Sequence, residues 1–179
     1  MSKGYNSVIS KLGVHGLSSG PVLMGPTIGK WVNAQPPATL PTGYTAIWRH
    51  VESPDNINSW MAQNINPVGA AQAWIDKQGP HIQNVPKNVY IEGPNENDAE
   101  TVAQCVWHAA FEVARMRIMA GLGWRCCIFS FGTGRPAMPQ ESQWDGREKW
   151  IALLPAFRAA KQYNAIYGRH GYGHPRMRY

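Results

Sequence analysis

Residues Val89–Glu100 read VYIEGPNENDAE, and this stretch decides the fold. Val89–Glu92 is a short apolar run of strand type. It stops at Gly93-Pro94, which breaks regular structure. The chain then delivers Asn95 and Glu96 into a helix start, with Asn97 and Glu100 spaced three apart like a capping box. A carboxylate thus sits just past the end of a strand. One reading makes the acids simple first-turn residues, favoured there by the helix dipole. The other makes Glu96 a proton donor.

Outward from that stretch, strand-like runs alternate with helical ones. Strands are expected at Leu12–His15, Thr45–Val51, Cys126–Phe131 and Ala165–His170, with Pro21–Met24 as a weaker run. Helices are expected at Val68–Gln78, Asp98–Ala120 and Lys149–Gln162. On the second helix Val102, Val106, Ala109 and Val113 form one stripe, and glycine in GLGW ends it. On the third, Ile151, Leu154, Phe157 and Ala160 do the same. Strand–helix alternation implies parallel strands joined by crossovers, in an open doubly wound sheet or a closed barrel. No glycine-rich phosphate loop follows any strand. Polar residues collect after strand ends instead: Arg49, His50 and Glu52; Asn95 and Glu96; Thr133 and Arg135; His170, Tyr172 and His174. In a barrel these positions line the mouth, so an α/β fold of the (β/α)8 TIM barrel type is expected.

The chain has 179 residues, 44% hydrophobic, with eight tryptophans, which suits one folded domain spanning 1–179. No run approaches the length of a membrane span, and no apolar signal core opens the chain, so a soluble protein of unassigned location and no membrane partner are expected. The net charge is +6, but basic residues are scattered apart from HPRMRY at the end, so nucleic acid is not expected as a partner. Cys105, Cys126 and Cys127 read as buried small hydrophobes rather than a disulfide framework. No His or Cys set has metal-ligand spacing, so neither metal nor cofactor is expected.

Glycosidic cleavage uses two carboxyl groups, one of them a proton donor. Glu96 suits the donor, and Asn95 suits a hydroxyl-holding neighbour. Glu92 cannot be the second carboxyl. Four residues along a strand cover roughly 13 Å, beyond the span of about 5 to 9.5 Å that the two mechanisms need. It reads as a buried acid facing the barrel interior, paired with an Arg. In GRHGYGHP, His170, Tyr172 and His174 alternate onto one face. Trp48, Trp124 and Trp144 are candidate sugar platforms, although core packing accounts for any one of them.

These residues resemble a family. YIEGPNEND looks like the strand-four motif of clan-A-type glycoside hydrolases, TIM-barrel glycosidases that place Asn-Glu there with Glu as acid/base. RCCIFSFGTGRP and WIALLPAFRAAKQYNAIYGRHGYGHP look like the next two strands, and KLGVHG is similar to the opening one. The resemblance implies Glu96 as the catalytic acid/base, and Asn95, His170 and Tyr172 as substrate-binding residues for a carbohydrate. Asn97 departs from the proline often found there, and Gly171 from a larger polar residue. A barrel takes about 250 residues and eight strands, whereas five or six are legible here. The family's nucleophile, a glutamate ending strand seven, has no counterpart in this sequence. A partial barrel is therefore expected, self-associating through open sheet edges. The alternative is a catalytically inactive carbohydrate-binding or interaction module on the same fold.

Overall fold

A computed structural model of the chain describes residues 27–36, 38–39, 43–50, 57–132, 135–136 and 143–169. Five strands lie in one sheet: β1 (Thr27–Val32), β2 (Tyr44–Arg49), β3 (Tyr90–Glu92), β4 (Arg125–Phe131) and β5 (Ile166–Arg169). All neighbours are parallel and the order is β1-β2-β3-β4-β5. Four helices are described: α1 (Ile57–Ala62), α2 (Pro67–Ile82), α3 (Val102–Gly121) and α4 (Gln143–Gln162).

The strand order carries the architectural information. Each strand adds beside the one before it, and parallel crossovers share one hand. Successive helices must then fall on the same face, and α2 packs on α3 and α3 on α4. A doubly wound sheet would reverse direction and divide its helices between two faces. Here the sheet curls into a half-barrel, which sets the doubly wound alternative aside.

The four strands expected within the described residues are present, with ends shifted by a residue or two. Leu12–His15 and Pro21–Met24 lie outside the described residues. The sequence reading passed over β1, TIGKWV. A lysine in mid-strand hid it, and so did Gly29, where a Cβ would stand 2.5 Å from the Trp31 ring that folds back over it. Helix α1, six residues with Ile57 buried, was also passed over.

Helix α3 starts later than expected. Thr101, not Asn97, is its N-cap: Thr101 Oγ1 accepts from Gln104 N, and the Gln104 side chain accepts from Thr101 N. It ends where GLGW placed the stop, with Gly123 at φ +83°. The expected stripe holds only in its second half: Ala109 is buried and Val113 packs on the core, but Val102 and Val106 are exposed. The buried face holds Cys105, His108, Phe111, Glu112, Arg115 and Met119. On helix α4 the expected stripe holds at its C-terminal half, where Ala160 is buried and Phe157 packs on the core, but Ile151 and Leu154 face solvent while Leu153 and Ala156 are buried.

Three polar groups cross that buried face of α3. Glu112 and Arg115 form an ion pair with Nε–Oε2 at 2.8 Å, both fully buried. Arg115 also donates to Ile91 O at 3.2 Å and Cys127 O at 2.9 Å, and Glu112 Oε1 accepts from Phe129 N at 2.9 Å. The pair thus stitches the helix to β3 and β4. His108 is different. It sits edge-on among Phe111, Phe129 and Phe131, with Glu112 Oε1 3.8 Å from its Nε2, and among the described residues neither ring nitrogen has a hydrogen-bond partner.

Burial, with Arg115 nearby, lowers the pKa of His108 from 6.5 to about 3. The imidazole is neutral in the fold and protonates more readily when unfolded. Its contribution is intact above pH 6.5 and is lost progressively as pH falls toward 3. At pH 5 the loss is on the order of 2 kcal/mol. Urea unfolding of the protein and of His108→Met at pH 7 and pH 5 checks this: the midpoint drop on acidification shrinks in the variant. An equal drop in both contradicts the assignment.

Candidate functional site

The interior face of the half-barrel is charged toward the C-terminal ends of the strands. Lys30 of β1, Arg49 of β2 and Glu92 of β3 project there together. Lys30 Nζ lies 2.7 and 2.6 Å from the two Glu92 oxygens, and Ser130 Oγ donates to Glu92 Oε1 at 2.7 Å. Arg49 Nη1 is 3.5 Å from Glu92 Oε2. Glu92 is therefore buried and faces the interior, as its strand parity required, but its first partner is Lys30 and Arg49 comes second. Burial draws the Lys30 pKa below its usual value, against the opposing pull of Glu92.

Arg49 reaches onward to the rim, where its Nη1 donates to Asn95 Oδ1. The Asn-Glu step is held by its neighbours. Asn97, nearly buried, accepts from Ile57 N at 2.9 Å and donates to Asn95 O at 3.2 Å. It anchors the start of α1 to this loop, a task proline could not perform. Glu96 is half-buried and donates its backbone N–H to Ser130 O at 3.2 Å, while its own carbonyl accepts from Asp98 N at 2.9 Å.

Backbone strain gathers at this junction. Six described non-glycine residues have positive φ, and three of them are asparagines, which tolerate it. The others are Glu96 (φ 48°), Phe129 (φ 72°) and Ser130 (φ 48°). All three lie where the ends of β3 and β4 meet, across the register shift between Ile128 and Phe131. Each costs of order 1–3 kcal/mol and persists because surrounding contacts enforce it. Those contacts are the bonds from Glu112 to Phe129 N and from Ser130 to Glu92 and Glu96. Such outliers gather at functional sites.

A second carboxyl, Asp98, closes the rim on the β4 side. Its Oδ1 accepts from Gly132 N at 2.9 Å, and Arg135 lies 3.9 Å from its Oδ2 while bonding Glu100 at 2.7 Å. Desolvation raises the Asp98 pKa, with Gly132 and Arg135 opposing the shift.

Of the residues expected from sequence, Asn95, Glu96, Arg49 and Arg135 share this rim. His50 does not face the interior: it stacks on His81 of α2 at 3.7 Å, on the helix side with Trp48. Trp48 is buried in the core, and Trp124 lies under Lys87 with its indole N–H on Val85 O, so neither presents a sugar platform. Glu52, Thr133, His170, Tyr172 and His174 lie outside the described residues, as does the side chain of Trp144. Sequence reasoning missed Lys30, Ser130 and Asp98. For Lys30 the available signal was its place two residues from both Ile28 and Val32, on one face of a strand.

The three cysteines are free and buried. Burial raises all three pKa values, that of Cys126 to about 11, so the thiols are poor nucleophiles at neutral pH. Among the described residues no group of three His, Cys, Asp or Glu side chains is placed to hold a metal, and no helix is long and apolar enough to cross a membrane. Comparison with protein-family models, characterised proteins and solved structures finds no match.

Proposed function

We propose that this chain is a glycoside hydrolase-like protein of the (β/α)8 barrel type that acts on carbohydrate, with Glu96 as the acid/base of O-glycosidic cleavage and Asn95 holding a substrate hydroxyl. The observation that carries the reading is the Asn95-Glu96 step at the C-terminal rim of a sequentially ordered, curled parallel sheet, with Asn95 bonded to Arg49 and Glu96 fixed in a left-handed backbone over β4. Rims of this kind hold the active sites of barrel enzymes.

In this reading Glu96 donates a proton to the departing glycosidic oxygen and later takes one from water. His170 and Tyr172 would complete the substrate site. Neither a cofactor nor a metal enters the chemistry. Self-association belongs to the same proposal, since β1 and β5 each have one strand neighbour among the described residues.

The test is incubation of the purified protein with a panel of oligosaccharides of differing sugar and linkage, followed by chromatography of products and by binding calorimetry. Cleavage of at least one is expected. Binding without cleavage would favour the inactive carbohydrate-binding module, and neither binding nor cleavage would end both readings.

A further inference from the structure

Glu96 sits in a left-handed backbone at φ 48°, a conformation that a glutamate keeps only under constraint. Two bonds from one turn at the end of β4 supply that constraint. Glu96 N donates to Ser130 O at 3.2 Å, and Gly132 N donates to Asp98 Oδ1 at 2.9 Å. Asp98 N returns to Glu96 O at 2.9 Å and closes the ring. Residues 96–98 and 130–132 thus form a clasp that grips the main chain of Glu96 at both its N–H and its carbonyl.

Asp98 stands ahead of the helix that follows, not in it. Helix α3 begins at Val102, with Thr101 as its N-cap and Gln104 completing the capping box. An acid favoured by the helix dipole belongs in the first turn, and Asp98 lies three residues before the cap. Its carboxylate turns to the end of β4 instead, onto Gly132 N, with Arg135 Nε 3.9 Å away. The fit there is close: a Cβ on Gly132 would stand 3.0 Å from Asp98 Oδ2. Glycine is what lets the carboxylate reach the main chain at this point.

We infer that Asp98 is a positioning residue for Glu96: its carboxylate, bonded to Gly132 N, holds residue 96 in the turn that aims the acid/base at the rim. The inference rests on the carbohydrate reading given above and adds to it a residue whose part is geometric. With the bond gone, residue 96 relaxes toward negative φ, and the change of backbone direction carries its carboxyl away from the departing oxygen. Proton donation depends on that reach. Asn95, by contrast, is placed by other bonds, to Arg49 and Asn97.

The test compares Asp98→Ala, Asp98→Asn and Gly132→Ala with the unmodified protein. The substrates are the oligosaccharide of the panel that is cleaved fastest and a dinitrophenyl glycoside of the same sugar. Asp98→Ala is expected to lower kcat on the oligosaccharide roughly 10- to 100-fold, the effect of a small misplacement, with KM little changed. On the dinitrophenyl glycoside, whose phenolate departs without a proton, kcat/KM should fall far less. Asparagine keeps an oxygen that accepts from Gly132 N, so Asp98→Asn should retain most of the turnover. Gly132→Ala crowds the same carboxylate and should act in the same direction by a smaller factor. Thermal melting checks that each variant is folded, and should Asp98→Ala fail to fold, Gly132→Ala carries the same comparison of substrates. Unchanged kcat in Asp98→Ala overturns the inference and leaves the carbohydrate reading standing. A loss in Asp98→Asn as large as in Asp98→Ala also overturns it, because the charge and not the bond would then be the agent. So does an equal fall on both substrates, since a misplaced acid does not slow a departure that needs no proton. If the unmodified protein cleaves no oligosaccharide, the carbohydrate reading falls and the inference with it.

Discussion

Replacing Glu96 by glutamine is expected to lower glycosidic turnover by roughly 10²–10⁴-fold, the usual contribution of a positioned general acid. Oligosaccharide binding should be largely unchanged. Glutamine keeps the shape and leaves in place the backbone bond from residue 96 to Ser130 O and the left-handed conformation at φ 48°. It leaves untouched the hydrogen bond between Arg49 and Asn95. What it removes is the transferable proton. Turnover and calorimetric affinity measured on the same preparation separate the two effects. Unchanged turnover would remove Glu96 from the chemistry. Loss of binding in step with turnover would make it a substrate ligand instead of an acid.

The second large effect concerns the support beneath the rim. Glu112→Ala is expected to destabilise the fold by about 3–5 kcal/mol, because it leaves a fully buried guanidinium without its carboxylate. It also strips Phe129 N of its acceptor at the most strained turn of the sheet. In many proteins a buried pair replaced by apolar residues is tolerated. Here the double variant Glu112→Leu, Arg115→Met should recover only part of the loss, since the carbonyls of Ile91 and Cys127 would also lose their donors. Urea unfolding of the protein and of the two variants checks this. A single-variant loss below about 1 kcal/mol would show that the pair is solvated in practice.

The same network explains what could and could not be read from sequence. Strands β2 to β5 announce themselves as short apolar runs bounded by turn residues, and their alternation with helices gave the parallel α/β class. The phase of α3 did not follow, because its buried face carries His108, Glu112 and Arg115. A polarity pattern assigns such residues to solvent, and so it turned Val102 and Val106 inward. Alanines mislead in the same way on α4, where Ala156 and Ala159 are buried beside exposed Ile151 and Leu154. Small side chains let neighbouring helices approach but carry little hydrophobic signal. Strand β1 was hidden by Lys30, whose charge makes sense only beside Glu92, 62 residues away in sequence.

At the candidate site, Asn95 and Glu96 were legible because glycine and proline mark the strand end just before them. The left-handed turn at Phe129 and Ser130 was not, since nothing local favours it. It is enforced from α3 through Glu112 and from β3 through Glu92. Asn97 is the reverse case: as a cap it was misread, and its buried amide joins the Asn95-Glu96 loop to α1.

The most direct test of the account is a crystal structure of Glu96→Gln with a bound oligosaccharide. The account predicts a sugar ring at the C-terminal ends of β2 to β4, its glycosidic oxygen within hydrogen-bond reach of residue 96 and a hydroxyl on Asn95. A sugar bound elsewhere on the chain, or a residue 96 side chain turned away from the ring, would contradict it.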